Sequence, residues 1–344
     1  MSERASEEVE VTSVTGLSSI VGHGRVLEML RREMDAQRLA HAYLLSGPVG
    51  VGKALTARAL AQALNCKEEP GEGCGHCSSC DRIRRGVHPD FLVLEPDGRW
   101  IKVEQVREIE ARCETGPFEG TYLVVVIDPA DRLNQAAANA LLKTLEEPKA
   151  GVLFCLVTAA PHKMMATVRS RCQSLRFGVL DEIEMHRFLV ERLGLETDRV
   201  GTIEAMADGS PGRAVALASD SGWARLVELR QKLFRLALGS FSTVDVFAFA
   251  AELGTLKDEF EPFLDLLDLE LGRLLRTAVH RRTRPDVGRD EGGQIEIPGG
   301  RLQVLFSWYW ASRQARRLFQ ANGNRRLLAE TLVVDFARAW RDVA

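Results

Sequence analysis

No run in this 344-residue chain approaches the roughly 20 apolar residues of a membrane-spanning helix. That absence excludes a bilayer span as a reading of the sequence. The start, MSERASEEVEVTS, also lacks the basic-then-apolar order of a secretory signal. Residues 1–14 read as a loose polar tail. A strong charge of either sign is missing as well: 45 Lys and Arg stand against 48 Asp and Glu, a net −3. A long-range electrostatic grip on nucleic acid is therefore not expected, although a local basic face stays open. No internal repeat is visible. What is there is an ordinary soluble composition, 45% apolar and 27% charged, at a length that suits two or three domains. The expected compartment is the cytoplasm, where disulfides are not expected.

A further absence is chemical. Gly47 to Ala54 read GPVGVGKA. A phosphate-binding P-loop reads GxxxxGK followed by Ser or Thr, and here that last position is Ala54. The missing hydroxyl is the one that ligates magnesium between the β- and γ-phosphates. Gly47, Pro48, Gly50, Gly52 and Lys53 remain to cradle a phosphate. Tyr122 to Asp131, YLVVVIDPAD, reads as a buried parallel strand that delivers Asp128 to the carboxyl edge of a sheet. In active hydrolases of this kind a second acid follows the first and orients the attacking water. Here that position is Pro129, which can neither accept a proton nor hold water. Both losses together predict a site that does not hydrolyse nucleotide in cis.

Four of the seven cysteines cluster as Cys66, Cys74, Cys77 and Cys80. Thiolates at C-x7-C-x2-C-x2-C spacing can close a tetrahedral zinc site. The intervening segment, KEEPGEGCGHCSS, is too polar and glycine-rich to hold itself by a core, so a metal staple makes physical sense. Four sulfur ligands leave no open position, so the zinc would be structural. Lys67, Arg82, Arg84 and Arg85 lie near in sequence to offset its charge, and His76 is badly placed to compete. Cys113, Cys155 and Cys172 read as ordinary thiols in apolar surroundings.

Strands are expected at Ala42–Leu45, Phe91–Leu94, Leu123–Ile127 and Val152–Val157. They alternate with helices at 25–38, 53–65, 101–113, 134–146 and near 163–168. Such alternation argues for an α/β fold with a parallel sheet wrapped on both faces. After about Phe177 the strands stop. Short helices are expected at 180–194, 198–207 and 211–219, then longer ones near 223–238, 243–253, 258–281, 302–321 and 325–340. The polar stretch at 281–300 reads as a loop. Trp308, Trp310, Phe319, Leu327, Leu328 and Trp340 offer the C-terminal helices a core or a packing surface.

In this order the P-loop, the four-cysteine insert, AANALLKTLEEP (Ala137 to Pro148) and SRC (Ser170 to Cys172) resemble the bacterial clamp-loader AAA+ subunits of DNA polymerase III. The likeness runs from about Ile20 to Cys172, with weaker support in GSPGRA (Gly209 to Ala214) and NRRLLAETLV (Asn324 to Val333). Ala54 and Pro129 align the chain with the delta prime branch, which keeps the fold but has a degraded site. The resemblance implies an AAA+ P-loop domain over 1–176 with a zinc module at 66–80. A three-helix lid over 177–220 and an all-α collar over 221–344 follow. It implies that Arg171 reaches the γ-phosphate held by a neighbouring motor subunit. It also implies that Ile20 and Val21 line an adenine pocket and that Thr158 sits where a γ-phosphate sensor belongs. In GSPGRA the sensing arginine's position is Gly212, with Arg213 one residue late; on a helix that turns the side chain by about 100°.

The implied function is a clamp-loader stator in a hetero-oligomer. Its partners would be the gamma/tau motor subunits and the delta subunit, and through the assembly the sliding clamp and primed DNA. The implied cofactors are structural zinc and ATP or ADP held without hydrolysis. Two other readings stand beside it. One is a slow gamma/tau-like ATPase that holds its metal through water. The other is a zinc-dependent nucleic-acid-binding module, suggested by the basic residues beside the cysteines.

Overall fold

The computed structural model describes residues 15–219, 227–235, 243–256, 260–283, 302–321 and 323–341. The expected tail at 1–14 lies outside them, as does most of the expected loop at 281–300. The chain divides into two compact units. One comprises Met1–Val200 with Ala207–Val215, the other Gly201–Met206 with Ala216–Ala344.

The first unit is built on five parallel strands: β1 (Ala42–Ser46), β2 (Phe91–Leu94), β3 (Leu123–Ile127), β4 (Val152–Thr158) and β5 (Gln173–Arg176). Their order across the sheet is β2-β3-β4-β1-β5. Side chains alternate between faces along each strand, so one strand feeds two cores. Leu44, Val125, Ile127, Phe154 and Leu156 point one way. They meet Val106 and Cys113 of α4 (Val103–Thr115) and Ala137, Leu141 and Leu145 of α5 (Gln135–Glu146). Tyr43, Leu45, Val124, Val126, Leu153 and Val157 point the other way. There they meet Leu30 of α1 (Gly24–Asp35), Ala57, Leu60 and Ala61 of α2 (Lys53–Asn65), and Ile83 of α3 (Ser78–Arg84). Both faces are covered, which is why β1, β3 and β4 read as unbroken apolar runs.

The sequence places four strands; the fifth, β5, is an addition. Gln173, Ser174 and Arg176 hide it, because an edge strand needs only Leu175 to be buried. Helix α3 is also new. It is capped by Cys77, whose sulfur accepts from Cys80 N, and only Ser79, Cys80 and Ile83 are buried along it. The expected helix at 134–146 starts one residue later, because Asn134 acts as its cap and accepts from Ala137 N at 2.8 Å. The expected helix near 163–168 is a 3-10 turn at Pro161–Lys163 followed by α6 (Ala166–Arg169). Beyond β5 come α7 (Glu182–Arg187), whose last turn widens over Phe188–Arg192, then α8 (Thr197–Ala207) and α9 (Pro211–Ala218).

Two side chains tie the sheet's entry edge. Asn65, the last residue of α2, accepts from Thr121 N (2.8 Å) and Tyr122 N (3.0 Å) and donates to Tyr122 O (2.9 Å). Asp90, fully buried before β2, accepts from the backbone N–H groups of Phe118, Glu119 and Gly120 and from Arg112. Burial alone would raise the Asp90 carboxyl, but those donors outweigh it and hold it below the usual range.

The described part of the second unit is helical: residues 227–235, Thr243–Thr255, Phe260–Thr283, Leu302–Gln320 and Arg325–Arg341. Trp308 is its centre. It is fully buried, stacks on Phe336 at 5.1 Å, meets Phe234 edge-on at 5.7 Å and donates to Phe336 O at 2.9 Å. Leu328 is buried with it, whereas Trp310 and Leu327 face outward. The expected aromatic set therefore divides between core and surface.

We predict that Asp90→Ala lowers stability by about 3 kcal/mol, because three buried N–H groups and Arg112 lose their acceptor. For Asp90→Asn the loss is pH-dependent. The folded carboxyl is depressed, so its contribution is complete above the unfolded value of about 4 and disappears as pH falls through the folded value. Urea midpoints of wild type and Asp90→Asn should converge below that point; a constant gap across the acid range would contradict this account.

Candidate functional site

The β1–β4 pairing sets Ser46 beside Thr158, and Gly47 N donates to Thr158 O at 3.2 Å. The chain then turns through Gly52 into α2, the helix that begins with Lys53. Around this turn lies a cavity of about 620 Å³. Ile20, Val21, Leu55, Phe188 and Val215 contribute apolar wall; Lys53, Asp128, Thr158 and Arg192 contribute polar groups. Gly50, Gly52, Ala54 and Pro129 also line it. An apolar-walled cavity at the N-terminus of a helix, with a lysine at its first position, suits a nucleotide.

Lys53 is buried and its ammonium donates to Gly47 O (2.8 Å) and Pro48 O. Burial lowers its pKa, and Asp128 and Asp131 oppose that shift. Burial raises the Asp128 carboxyl, with Lys53 pulling the other way. Gly47 and Pro48 thus serve the site by holding Lys53 rather than by lining the cavity. Thr158 is fully buried. Its hydroxyl donates to Asp131 and accepts from Ala160 N at 2.9 Å. Ala54 and Pro129 leave the cavity without a hydroxyl and without a second acid at the positions where hydrolysis needs them.

Sequence reasoning missed Asp131, Phe188 and Arg192. Asp131 had a signal, as the second acid of DPAD three residues after Asp128. Phe188 and Arg192 had none: they come from the widened turn after α7, far along the chain.

Arg171 is apart from this cavity. It follows α6, donates from Nη1 to Thr167 O at 2.8 Å and pairs through Nη2 with Glu146, at the end of α5. The Arg171 side chain is 34% exposed and Glu146 49% exposed, so the pair contributes at most about 1 kcal/mol and can exchange for another anion.

The four cysteine sulfurs lie within 4.8 Å of one another, with Cys66 and Cys77 at 3.8 Å. Zinc–sulfur bonds of about 2.3 Å set sulfurs about 3.8 Å apart on a tetrahedron. Backbone N–H groups point at the sulfurs: Glu69 N and Cys74 N at Cys66, Cys77 N at Cys74, and Cys80 N at Cys77. Burial pushes the Cys77 thiol up, but donors from Cys80 and Lys67 outweigh it and bring it down to about 6. Burial pushes Cys74 and Cys80 up. Only Cys74 is partly exposed. The donor set fits a structural zinc. Arg84 and Arg85 pair with Asp81, and Arg82 with Glu119, so these three serve nearby carboxylates rather than the sulfurs alone. His76 binds Glu68 at 2.7 Å on the surface. Cys113 and Cys155 are buried and Cys172 half-buried, with burial raising them to about 11, 12 and 12.

The family described as DNA polymerase III, delta subunit, matches residues 22–181. The DNA polymerase III subunit delta' of Pseudomonas aeruginosa is 31% identical over 309 residues, 87% of this chain and 92% of that protein. This chain belongs to the DNA polymerase III delta prime family. The delta' subunit of Bacillus subtilis is 36% identical over 168 residues, 49% of this chain and 51% of that protein. DNA polymerase III subunit tau of Salmonella typhimurium is 34% identical over 70% of this chain, but the match spans only 36% of that longer protein. The Pseudomonas aeruginosa delta' subunit is thus matched along most of both chains, and tau over about a third of its own length. Among the described residues no helix is long and apolar enough to cross a membrane.

Replacing Cys77 by Ser is expected to remove bound zinc and to lower the thermal midpoint, read by metal content and calorimetry on the full chain. Zinc retention against a chelator should weaken as pH falls, because each thiolate that takes a proton is lost as a ligand.

Proposed function

We propose that this chain is the stator subunit of a bacterial clamp loader of the DNA polymerase III holoenzyme, working in the cytoplasm. It contributes catalysis to a neighbour and does not hydrolyse nucleotide itself. The observation that carries this reading is a formed cavity whose magnesium-ligand position is Ala54 and whose water-orienting position is Pro129. A phosphate chain can be held there by Lys53 and the start of α2, with Ile20 and Val21 against the base. ATP or ADP would then be a ligand and not a substrate. Arg171 would leave Glu146 and meet the γ-phosphate at a junction with a gamma or tau motor subunit. Arginine suits that task because its planar fork stays charged and holds two oxygens together. The zinc of Cys66, Cys74, Cys77 and Cys80 would only fold its segment. In this reading residues 1–176 are the AAA+ P-loop domain, 177–220 the lid and 221–344 the collar. Motor and delta subunits are the direct partners. The clamp and primed DNA are reached through the assembly.

One observation favours the slow-ATPase reading. Asp131 lies near enough to Lys53 to act on its charge, and Thr158 donates to it, so an acid does stand beside the cavity. That acid is already bonded to a side chain of its own subunit, which weakens the case. The nucleic-acid-binding reading has less support, since Arg82, Arg84 and Arg85 are engaged with acids.

In a reconstituted loader, Arg171→Ala in this chain alone should reduce DNA-stimulated hydrolysis at the affected junction by about a thousandfold, with assembly intact. Unchanged turnover would remove the trans role. Magnesium-dependent turnover by the isolated chain, abolished by Lys53→Ala, would establish the motor reading instead. Tight DNA binding by the isolated chain with a steep salt dependence would establish the third.

A further inference from the structure

The loop between Cys66 and Cys77 meets the segment that opens the cavity, and it does so through backbone. Leu17 N donates to Glu72 O at 2.9 Å. Gly16 N donates to the Gln62 side chain at 3.0 Å, and the same side chain donates to Cys80 O at 3.1 Å. Gln62 is fully buried, so one side chain of α2 joins the segment to the backbone of a cysteine in the cluster. The approach is too close for added side chains. A Cβ on Gly16, whose φ is +84°, would overlap the carbonyl oxygens of Glu72 and Gly73. A Cβ on Gly75 would stand 2.7 Å from Thr15 Cβ. Glu72 also accepts from Arg31 Nη2, on α1, at 3.0 Å. The segment held in this way includes a 3-10 turn at Leu17–Ser19, and Thr15, Ser19, Ile20 and Val21 line the cavity.

We infer that the folded cysteine loop seats residues 15–21 as a wall of the cavity, so that zinc on the four cysteines and the shape of the proposed nucleotide site are linked. Between Cys66 and Cys77 only Gly73 is buried, so no side chain of the loop's own fixes its path. Its path depends on the sulfurs, and the carbonyl that receives Leu17 N is placed by metal–sulfur geometry. A coupling between two sites acts equally in both directions. Zinc therefore steadies the wall, and a displaced wall weakens zinc. The metal does no more than fold its loop; the loop carries the effect to Ile20 and Val21. The link rests on zinc binding by the four cysteines and needs neither Arg171 nor hydrolysis.

Amide hydrogen exchange on the full chain tests this, with zinc bound and after its removal by EDTA, metal content being measured in each sample. Without zinc, a peptide covering residues 15–21 should exchange about tenfold faster, since the hydrogen bonds of both Gly16 N and Leu17 N are disturbed and one alone supplies a factor of about five. A peptide from β3 should stay unchanged and so report an intact sheet. In the reverse direction, Gly16→Ala leaves every sulfur in place and should weaken zinc about tenfold against EDTA. If one of the two samples does not fold, the other carries the test. Faster exchange confined to residues 67–77, with 15–21 unchanged, would overturn the link, as would wild-type zinc affinity in a folded Gly16→Ala. A chain that takes up no zinc removes the zinc reading and the link together, and metal content tells that case from the others.

Discussion

The pairing of β1 with β4 is the interaction on which the rest of this structure depends. It sets Ser46 opposite Thr158, and so brings the phosphate loop and the Thr158 region to one edge of the sheet. With β3 beside β4, Asp128 arrives at the same edge. The chain reaches this arrangement by leaving β1, running to β2 at the far side and working back, before β5 closes the other flank. Ligands in such sheets bind outside the carboxyl ends of strands where the order reverses. The cavity lies there because of strand order, and the apolar alternation on both faces holds that order.

Against this scaffold the missing groups have a consistent meaning. Ala54 and Pro129 put no hydroxyl and no carboxylate at their places on the cavity wall, and the cavity keeps about 620 Å³. Gly212 closes on Gly50 where a sensing arginine would otherwise enter. Polar groups round the cavity are bonded within the chain: Lys53 to Gly47 and Pro48, Thr158 to Asp131, Gly212 to Gly50. The bonds of Arg171 to Thr167 and Glu146 lie near the surface and are easily exchanged, as the proposed role in trans requires.

The cysteine module follows a different logic. The residues from 67 to 79 bury little apolar side chain, so their order depends on sulfur geometry and on N–H groups turned toward the sulfurs. Its ties to the rest include Gln62, on α2, which donates to Cys80 O at 3.1 Å, and Gly71 N, which donates to Ala63 O at 2.9 Å. The phosphate-loop helix therefore carries the module on its far end while its first turn faces the cavity. That gives the cysteine segment a structural tie to the site.

Much of this was legible in the chain alone. Apolar runs and helical periods located β1 to β4 and most helices to within a few residues, because burial on both faces of a parallel sheet leaves a plain composition signal. GPVGVGKA, the cysteine spacing and SRC marked the sites, because each needs particular residue types at short separation. β5 and α3 were hidden, since each buries too few apolar residues to make a pattern. The roles of Asp131, Arg192 and Gln62 were hidden for another reason. Each depends on residues brought beside it from elsewhere in the chain, and no local pattern encodes distance in space. Sequence by itself determined the layers, the cysteine cluster and the residues that stand at the phosphate loop. Only tertiary structure decided that Lys53 is held by its own loop, that Arg171 is tied to Glu146, and that a glycine rather than an arginine meets the phosphate loop. Those are contacts between segments whose approach is set by packing.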